Sequence, residues 1–163
     1  NPLNALSMAC QRLRPDNLQQ LSTVIRNEIR RLNEIVEEFS LFEDWMQRYE
    51  YMIELGKSIE LIDTANKIDS NLIKGCQSKL WLHAELNEEK LIFKADSEAI
   101  ITKGIAAVLL RVFSNQTPKN ILEANLEFID KIGLKEHLSP TRANGLLSMI
   151  KQIKYYALAF NKN

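Results

Sequence analysis

Apolar residues recur every three or four positions along the first quarter of the chain. They fall at Leu3, Leu6, Cys10 and Leu13, then at Leu18, Leu21, Ile25, Ile29, Leu32, Val36 and Phe39. This spacing draws one apolar stripe along a helix. Arg14-Pro15-Asp16 interrupts it, and Asp16 with Gln19 has the form of a capping box that restarts it, so residues 1 to about 39 are predicted to form two helices. A hairpin of this size cannot bury its stripe alone and needs the following domain or a second copy of itself. Ser40 with Glu43 repeats the capping pattern, and Trp45, Tyr49, Met52 and Ile53 extend the helical spacing, which predicts a helix over about 41–55 stopped by Gly56. Residues 57–71 lack sustained periodicity and contain Asp63, Asn66, Asp69 and Ser70, so they read as irregular chain.

From Lys79 the period changes to two. Leu80, Leu82, Ala84 and Leu86 face one way, and Lys79, Trp81, His83 and Glu85 the other, which is the pattern of a half-buried strand. Asn87-Glu88-Glu89-Lys90 is a polar connection, and Leu91 to Ala95 form the returning strand of a hairpin. Asp96-Ser97 caps the next helix, with Glu98 in its first turn, and Ala99 to Phe113 is apolar nearly all round, the mark of a central buried helix. Gly104 is costly there and implies a close backbone approach. Thr117-Pro118 starts a short helix over about 118–124, and Phe128, Ile129 and Ile132 mark another, ended by Gly133. Ser139-Pro140 repeats the cap and proline before a last helix over about 140–160, with Leu146, Ile150, Ile153, Ala157 and Phe160 inward. Helices around one small antiparallel sheet make the fold class α+β.

Composition narrows the function classes. At 163 residues the chain suits one compact domain with a small appendage, and its 45% hydrophobic and 26% charged residues argue against disorder. Twenty-one basic residues balance twenty-one acidic ones, which lacks the basic excess of a nucleic-acid footprint. No uninterrupted apolar run approaches the ~18 residues of a membrane span, and no signal-like segment opens the chain. The expectation is a cytoplasmic protein, and an opening at Asn1 without methionine leaves room for a removed upstream segment. Cys10 and Cys76 are too few and too far apart for a disulfide framework, which suits a reducing compartment.

The chemistry centres on Leu72-Ile73-Lys74-Gly75-Cys76-Gln77-Ser78-Lys79-Leu80-Trp81-Leu82, which sets one thiol on a glycine turn leading into the first strand. Gly75 permits a positive φ at no steric cost. Lys74 and Lys79 flank the thiol with positive charge, and a nearby cation favours the nucleophilic thiolate. The competing reading is a small buried hydrophobe, the usual fate of an unpaired cysteine. His83 falls on the more polar strand face, where an exposed histidine competes with a metal ligand or base that lacks partners nearby in sequence.

The run Leu72 to Leu82, with Gly75-Cys76-Gln77-Ser78 at its centre, resembles the active loop of SufE-type sulfur acceptors. The resemblance extends over about residues 34–161. It is carried upstream by Trp45, Tyr49, Tyr51 and Ile53-Glu54-Leu55-Gly56, and downstream by Asp96-Ser97-Glu98-Ala99, Lys103-Gly104, Gln116-Thr117-Pro118 and His137-Leu138-Ser139-Pro140-Thr141-Arg142-Ala143-Asn144-Gly145-Leu146. It implies a SufE/IscU-like fold and a sulfur acceptor that activates a pyridoxal-phosphate cysteine desulfurase, SufS-like or CsdA-like. Sulfur would pass from that desulfurase to Cys76 and on to an iron–sulfur scaffold. No cofactor is implied on this chain, since the pyridoxal phosphate belongs to the partner. Lys74, Gly75, Gln77, Ser78 and Lys79 would support the loop, and Glu98 and Arg142 would join them in partner binding, with Lys103 a further candidate for the docking surface. Arg142 competes with a structural role of binding carbonyls or a carboxylate.

Residues 1–39 carry a second resemblance, on Asn1-Pro2-Leu3-Asn4-Ala5-Leu6-Ser7 and Glu28 to Phe39, to the dimerisation helices of sensor histidine kinases. The phosphoacceptor histidine of that family would precede Asn1 and is missing. Residues 1–33 are therefore read as a helical packing or dimerisation segment, making a dimer possible, and 34–163 as the sulfur-acceptor domain. The two resemblances meet near Asn33 to Phe39, which fits either a joined pair of pieces or a divergent extension. An IscU-like scaffold is the rival for the second part, but it commonly needs three cysteines and Cys76 has no second one in its domain.

Overall fold

The structure is a computed structural model that describes residues 15–161, and the chain divides into two compact units, residues 1–34 and 35–163. In the first unit the described chain is helix α1, Pro15–Ser40, whose last turns from Ile35 belong to the second unit. Leu18, Ile25 and Ile29 are each about half exposed on it, and Arg30 Nε stands 3.6 Å from Glu34 Oε1 one turn on. The helix expected over residues 1–13, and with it the hairpin and Cys10, lies outside the described residues.

The second unit is α+β. After the end of α1 come α2 (Trp45–Ser58), two single 3₁₀ turns at Thr64–Asn66 and Asp69–Asn71, and the hairpin of β1 (Leu80–Asn87) and β2 (Lys90–Ser97). Then follow α3 (Ile100–Phe113), α4 (Pro118–Glu123), α5 (Glu127–Lys131), α6 (Leu134–His137) and α7 (Pro140–Phe160). The strands pair antiparallel from Leu80 opposite Ser97 to Asn87 opposite Lys90. Leu80, Leu82 and Ala84 of β1 and Leu91, Phe93 and Ala95 of β2 are buried, as the period of two predicts. Leu86 is not: next to the turn it is 48% exposed. The buried sheet face, α3 and the inner face of α7 (Leu146, Met149, Ile150, Ile153, Ala157) supply most of the core. Phe160, expected inward, is 39% exposed in the last turn of α7.

Local side-chain chemistry decides where these helices start. Thr117 and Ser139 cap α4 and α7 as expected, their hydroxyl oxygens accepting from the amides of Asn120 and Arg142, with proline next in each case. Two expected caps move. Ser40 ends α1, and Asp44, held in extended backbone, starts α2 by accepting from the Gln47 amide at 2.9 Å. Asp96 and Ser97 still lie in the strand, and α3 begins three residues later, after Ala99. Lysines occupy the Asp96 carboxylate instead: its Oδ1 is 3.0 Å from Lys103 Nζ and its Oδ2 binds Lys67. Glu98 consequently lies ahead of the helix rather than in its first turn.

Gly56, the expected stop of α2, sits inside the helix and is buried. A Cβ there would come within 3.0 Å of the Gly104 amide nitrogen, and one at Gly104 within 2.6 Å of the Met52 carbonyl oxygen. Two glycines thus bring the backbones of α2 and α3 together, closer than side chains permit.

The irregular segment 59–71 is tied to the sheet. Lys67 Nζ lies 5.5 Å above the Trp81 ring centre, and Leu61 bridges to Ala95. The Tyr156 hydroxyl donates at 3.1 Å to the Leu82 carbonyl and stands 3.2 Å from Asn71 Oδ1. His83 is half-buried here rather than exposed, with Nδ1 3.5 Å from the Asn71 amide and Nε2 3.4 Å from Glu85.

Candidate functional site

The chain reaches the cysteine through Ile73, whose amide donates to the Leu80 carbonyl at 2.8 Å and whose side chain is buried. That bond closes a short loop over the start of β1, and Gly75, at φ +88°, turns the chain inside it. A Cβ on Gly75 would stand 2.9 Å from Ser148 Oγ, so the turn also rests on α7. Cys76 follows, half-buried, and is the free cysteine among the described residues.

Its sulfur faces α7. Sγ lies 3.8 Å from the Gly145 carbonyl oxygen, a distance at which the thiol is a weak donor, and a Cβ on Gly145 would come within 3.2 Å of the sulfur. On the open side is a cleft of about 360 Å³. Its rim carries the polar Gln77, Ser78, Glu98, Thr102, Thr141 and Arg142 beside the exposed Ile100, and its floor Ile101, Ile105, Gly145 and Met149. Ser139 positions this wall: by capping α7 it sets Arg142 on the rim in the first turn, Gly145 under the sulfur one turn later, and Met149 below.

Burial pushes the Cys76 thiol above its ordinary pKa, because an ion is poorly solvated there. The expected help from lysine is absent. Lys74 lines a different cleft, with Asp69, Ser148, Lys151 and Tyr155, and Lys79 turns to Glu98, its Nζ 3.8 Å from Oε1. The reason is the turn at Gly75: residues adjacent in sequence leave it in different directions. Of the residues marked in the sequence, Cys76, Gln77, Ser78, Glu98 and Arg142 share one cleft, Gly75 shapes the turn, and Lys74 and Lys79 stand outside. Lys103 is spent on Asp96. Sequence reading overlooked Gly145 as the seat of the sulfur, although an unexplained glycine inside a helix is the signal that could have found it.

Residues 33–157 match the family described as SufE: Fe-S metabolism associated domain. The chain is 39% identical over 128 residues to a SufE-like protein of Rhizobium meliloti, covering 76% of this chain and 91% of that one. It is 36% identical over 129 residues to a SufE-like protein of Synechocystis, covering 79% and 81%. It is also 36% identical to the chloroplastic/mitochondrial SufE-like protein 1 of Arabidopsis thaliana, of which it spans 35%. The solution structure of a hypothetical protein from Thermus thermophilus superposes with a TM-score of 0.67 at 19% identity, covering 79% of this chain and 94% of that one, and so shares the fold. The resemblance of residues 1–39 to histidine-kinase helices finds no support in these matches, the family match itself beginning at residue 33. With a family match over most of its length and bacterial SufE-like relatives covered to 81% and 91% of their own length, the chain belongs to the SufE family, whose role is sulfur transfer together with a cysteine desulfurase.

Proposed function

We propose that Cys76 accepts sulfur from the persulfide of a pyridoxal-phosphate cysteine desulfurase and relays it toward iron–sulfur cluster assembly. The observation that carries this reading is the half-buried thiol on the Gly75 turn, open on one side to a cleft of mixed polar and apolar lining, inside the part of the chain that matches the family. In the transfer, the Cys76 thiolate attacks the terminal sulfur of the donor persulfide. The sulfur–sulfur bond of the donor breaks, its cysteine leaves as a thiolate and takes up a proton, and Cys76 carries the persulfide with no net oxidation.

Burial holds the free thiol protonated at neutral pH, and exchange needs a thiolate with access. Docking therefore supplies the activation, by turning the loop outward about Gly75 so that water and donor groups reach the sulfur. The same seat shields a newly received persulfide once the loop returns. Gln77, Ser78, Glu98 and Arg142 meet the desulfurase at the cleft rim. The pyridoxal phosphate stays on the desulfurase and this chain carries none.

A cluster scaffold is the weaker alternative. Among the described residues no group of three or more His, Cys, Asp or Glu gathers to hold a metal ion, and cluster ligation calls for several such ligands. Steady-state desulfurase activity tests the choice. The parent chain stimulates turnover of a matched desulfurase and Cys76→Ser does not; equal stimulation by both rules out the acceptor role.

A further inference from the structure

A glycine in the second turn of a 21-residue helix is less favourable than alanine, because it adds backbone freedom that folding must remove. Gly145 has an ordinary helical φ, so no turn requires it. What does require it is the sulfur: with a Cβ at position 145 only 3.2 Å from Cys76 Sγ, the two atoms would stand well inside the roughly 3.5–4.0 Å of comfortable contact. Among the described residues, Sγ is the one heavy atom within 4 Å of that position outside the helix's own backbone. The thiol also points to the carbonyl of the same residue.

We infer that Gly145 is a positioning residue for Cys76, its missing side chain forming the seat that holds the sulfur half-buried on the backbone of α7. The inference rests on Cys76 being the sulfur-accepting thiol, and it adds the element that decides when that thiol is available. A methyl group at 145 closes the seat. The backbone of α7 is fixed by its hydrogen bonds, so the sulfur gives way by a few tenths of an ångström, off the Gly145 carbonyl and toward the open cleft. Accessibility and thiolate content then rise together.

Two measurements on the full chain test this without any desulfurase. The first is the pH profile of Cys76 alkylation by iodoacetamide. Gly145→Ala is expected to shift the profile to lower pH and raise the rate at pH 7 on the order of threefold to tenfold, as a larger thiolate fraction does. Asn144→Ala, an exposed neighbour on the same helix, leaves the profile in place. The second is thermal unfolding of a double-mutant cycle. In a Cys76→Ala background, Gly145→Ala raises Tm, because the helix gains and nothing is displaced. In the parent the same change raises Tm less or lowers it.

An unmoved alkylation profile in folded Gly145→Ala, or additive Tm changes, overturns the proposal. If both results appear as expected while no desulfurase ever loads Cys76, the seat stands and the acceptor reading falls. If Cys76 is loaded normally but both results fail, the acceptor reading stands and the seat falls.

Discussion

Gly104 lies so close to Met52 that a Cβ on the glycine would sit 2.6 Å from the Met52 carbonyl oxygen. The obstacle is backbone of α2, which cannot swing aside as a side chain does. Alanine at 104 is a better helix former by about 1 kcal/mol, yet overpacking a filled interface costs about 1–3 kcal/mol, and a forced separation of α2 from α3 falls at the upper end. Gly104→Ala is therefore expected to lower stability by about 1–2 kcal/mol net, seen as a drop in the denaturation midpoint with an unchanged m-value. A stabilised variant would mean that the helices are not held at this distance.

Asp96 makes stability depend on pH. Burial raises its pKa, but the hydrogen bonds from Lys67, Lys103 and the Ser97 amide outweigh it, and the carboxyl ends below its ordinary value. Between the folded and unfolded pKa the unfolded chain binds more protons, so this contribution is full above about pH 4, the unfolded value, and is lost as pH falls through the folded one. Asp96→Asn should lower stability at pH 7 by about 1–3 kcal/mol, because two half-buried lysines lose their partner. It should also flatten the acid limb of stability against pH. An unchanged acid limb would show that Asp96 titrates alike in both states.

Lys74 and Lys79 should be dispensable for the reactivity of the free thiol. Neither lines the cleft that holds Cys76, and Lys79 is paired with Glu98. Lys74→Ala and Lys79→Ala are expected to leave the alkylation profile of the isolated chain within about twofold of the parent, since exposed charges act weakly through water. A profile moved to higher pH by either substitution would restore a cation as the activator.

Arg142 sits exposed on the cleft rim, with its amide bound to Ser139. Arg142→Ala should change stability by no more than about 0.5 kcal/mol and weaken the interaction with a desulfurase, raising the concentration of this chain needed for half-maximal stimulation. Loss of folding stability with intact stimulation would assign the arginine a structural role.

What the sequence makes legible divides along physical lines. The cap-and-proline pairs at Thr117-Pro118 and Ser139-Pro140 act within four residues, so their helices start where local chemistry says. The alternation from Leu80 to Ala84 and the all-round apolar stretch of α3 report burial directly. Gly56 misleads because a C-terminal stop and a helix contact use the same residue, and only the partner glycine on α3 tells them apart. Asp96 misleads likewise, as a carboxylate suited to capping is taken by two lysines 29 residues upstream and 7 downstream. At the site, Cys76, Gln77, Ser78, Glu98 and Arg142 come to one cleft, but the neighbourhood of Lys74 in sequence says nothing of its direction after a turn with positive φ. The seat at Gly145 lies 69 residues from the thiol and needs the fold to be seen.

The most direct test of the account is mass spectrometry of Cys76 after incubation with a matched desulfurase and cysteine, without reductant. A gain of about 32 Da, one sulfur atom, on the peptide containing Cys76 is expected, and it should vanish in Cys76→Ser and on treatment with dithiothreitol. A desulfurase that turns over in the presence of this chain while Cys76 gains no mass would contradict the assignment of the thiol as the sulfur acceptor.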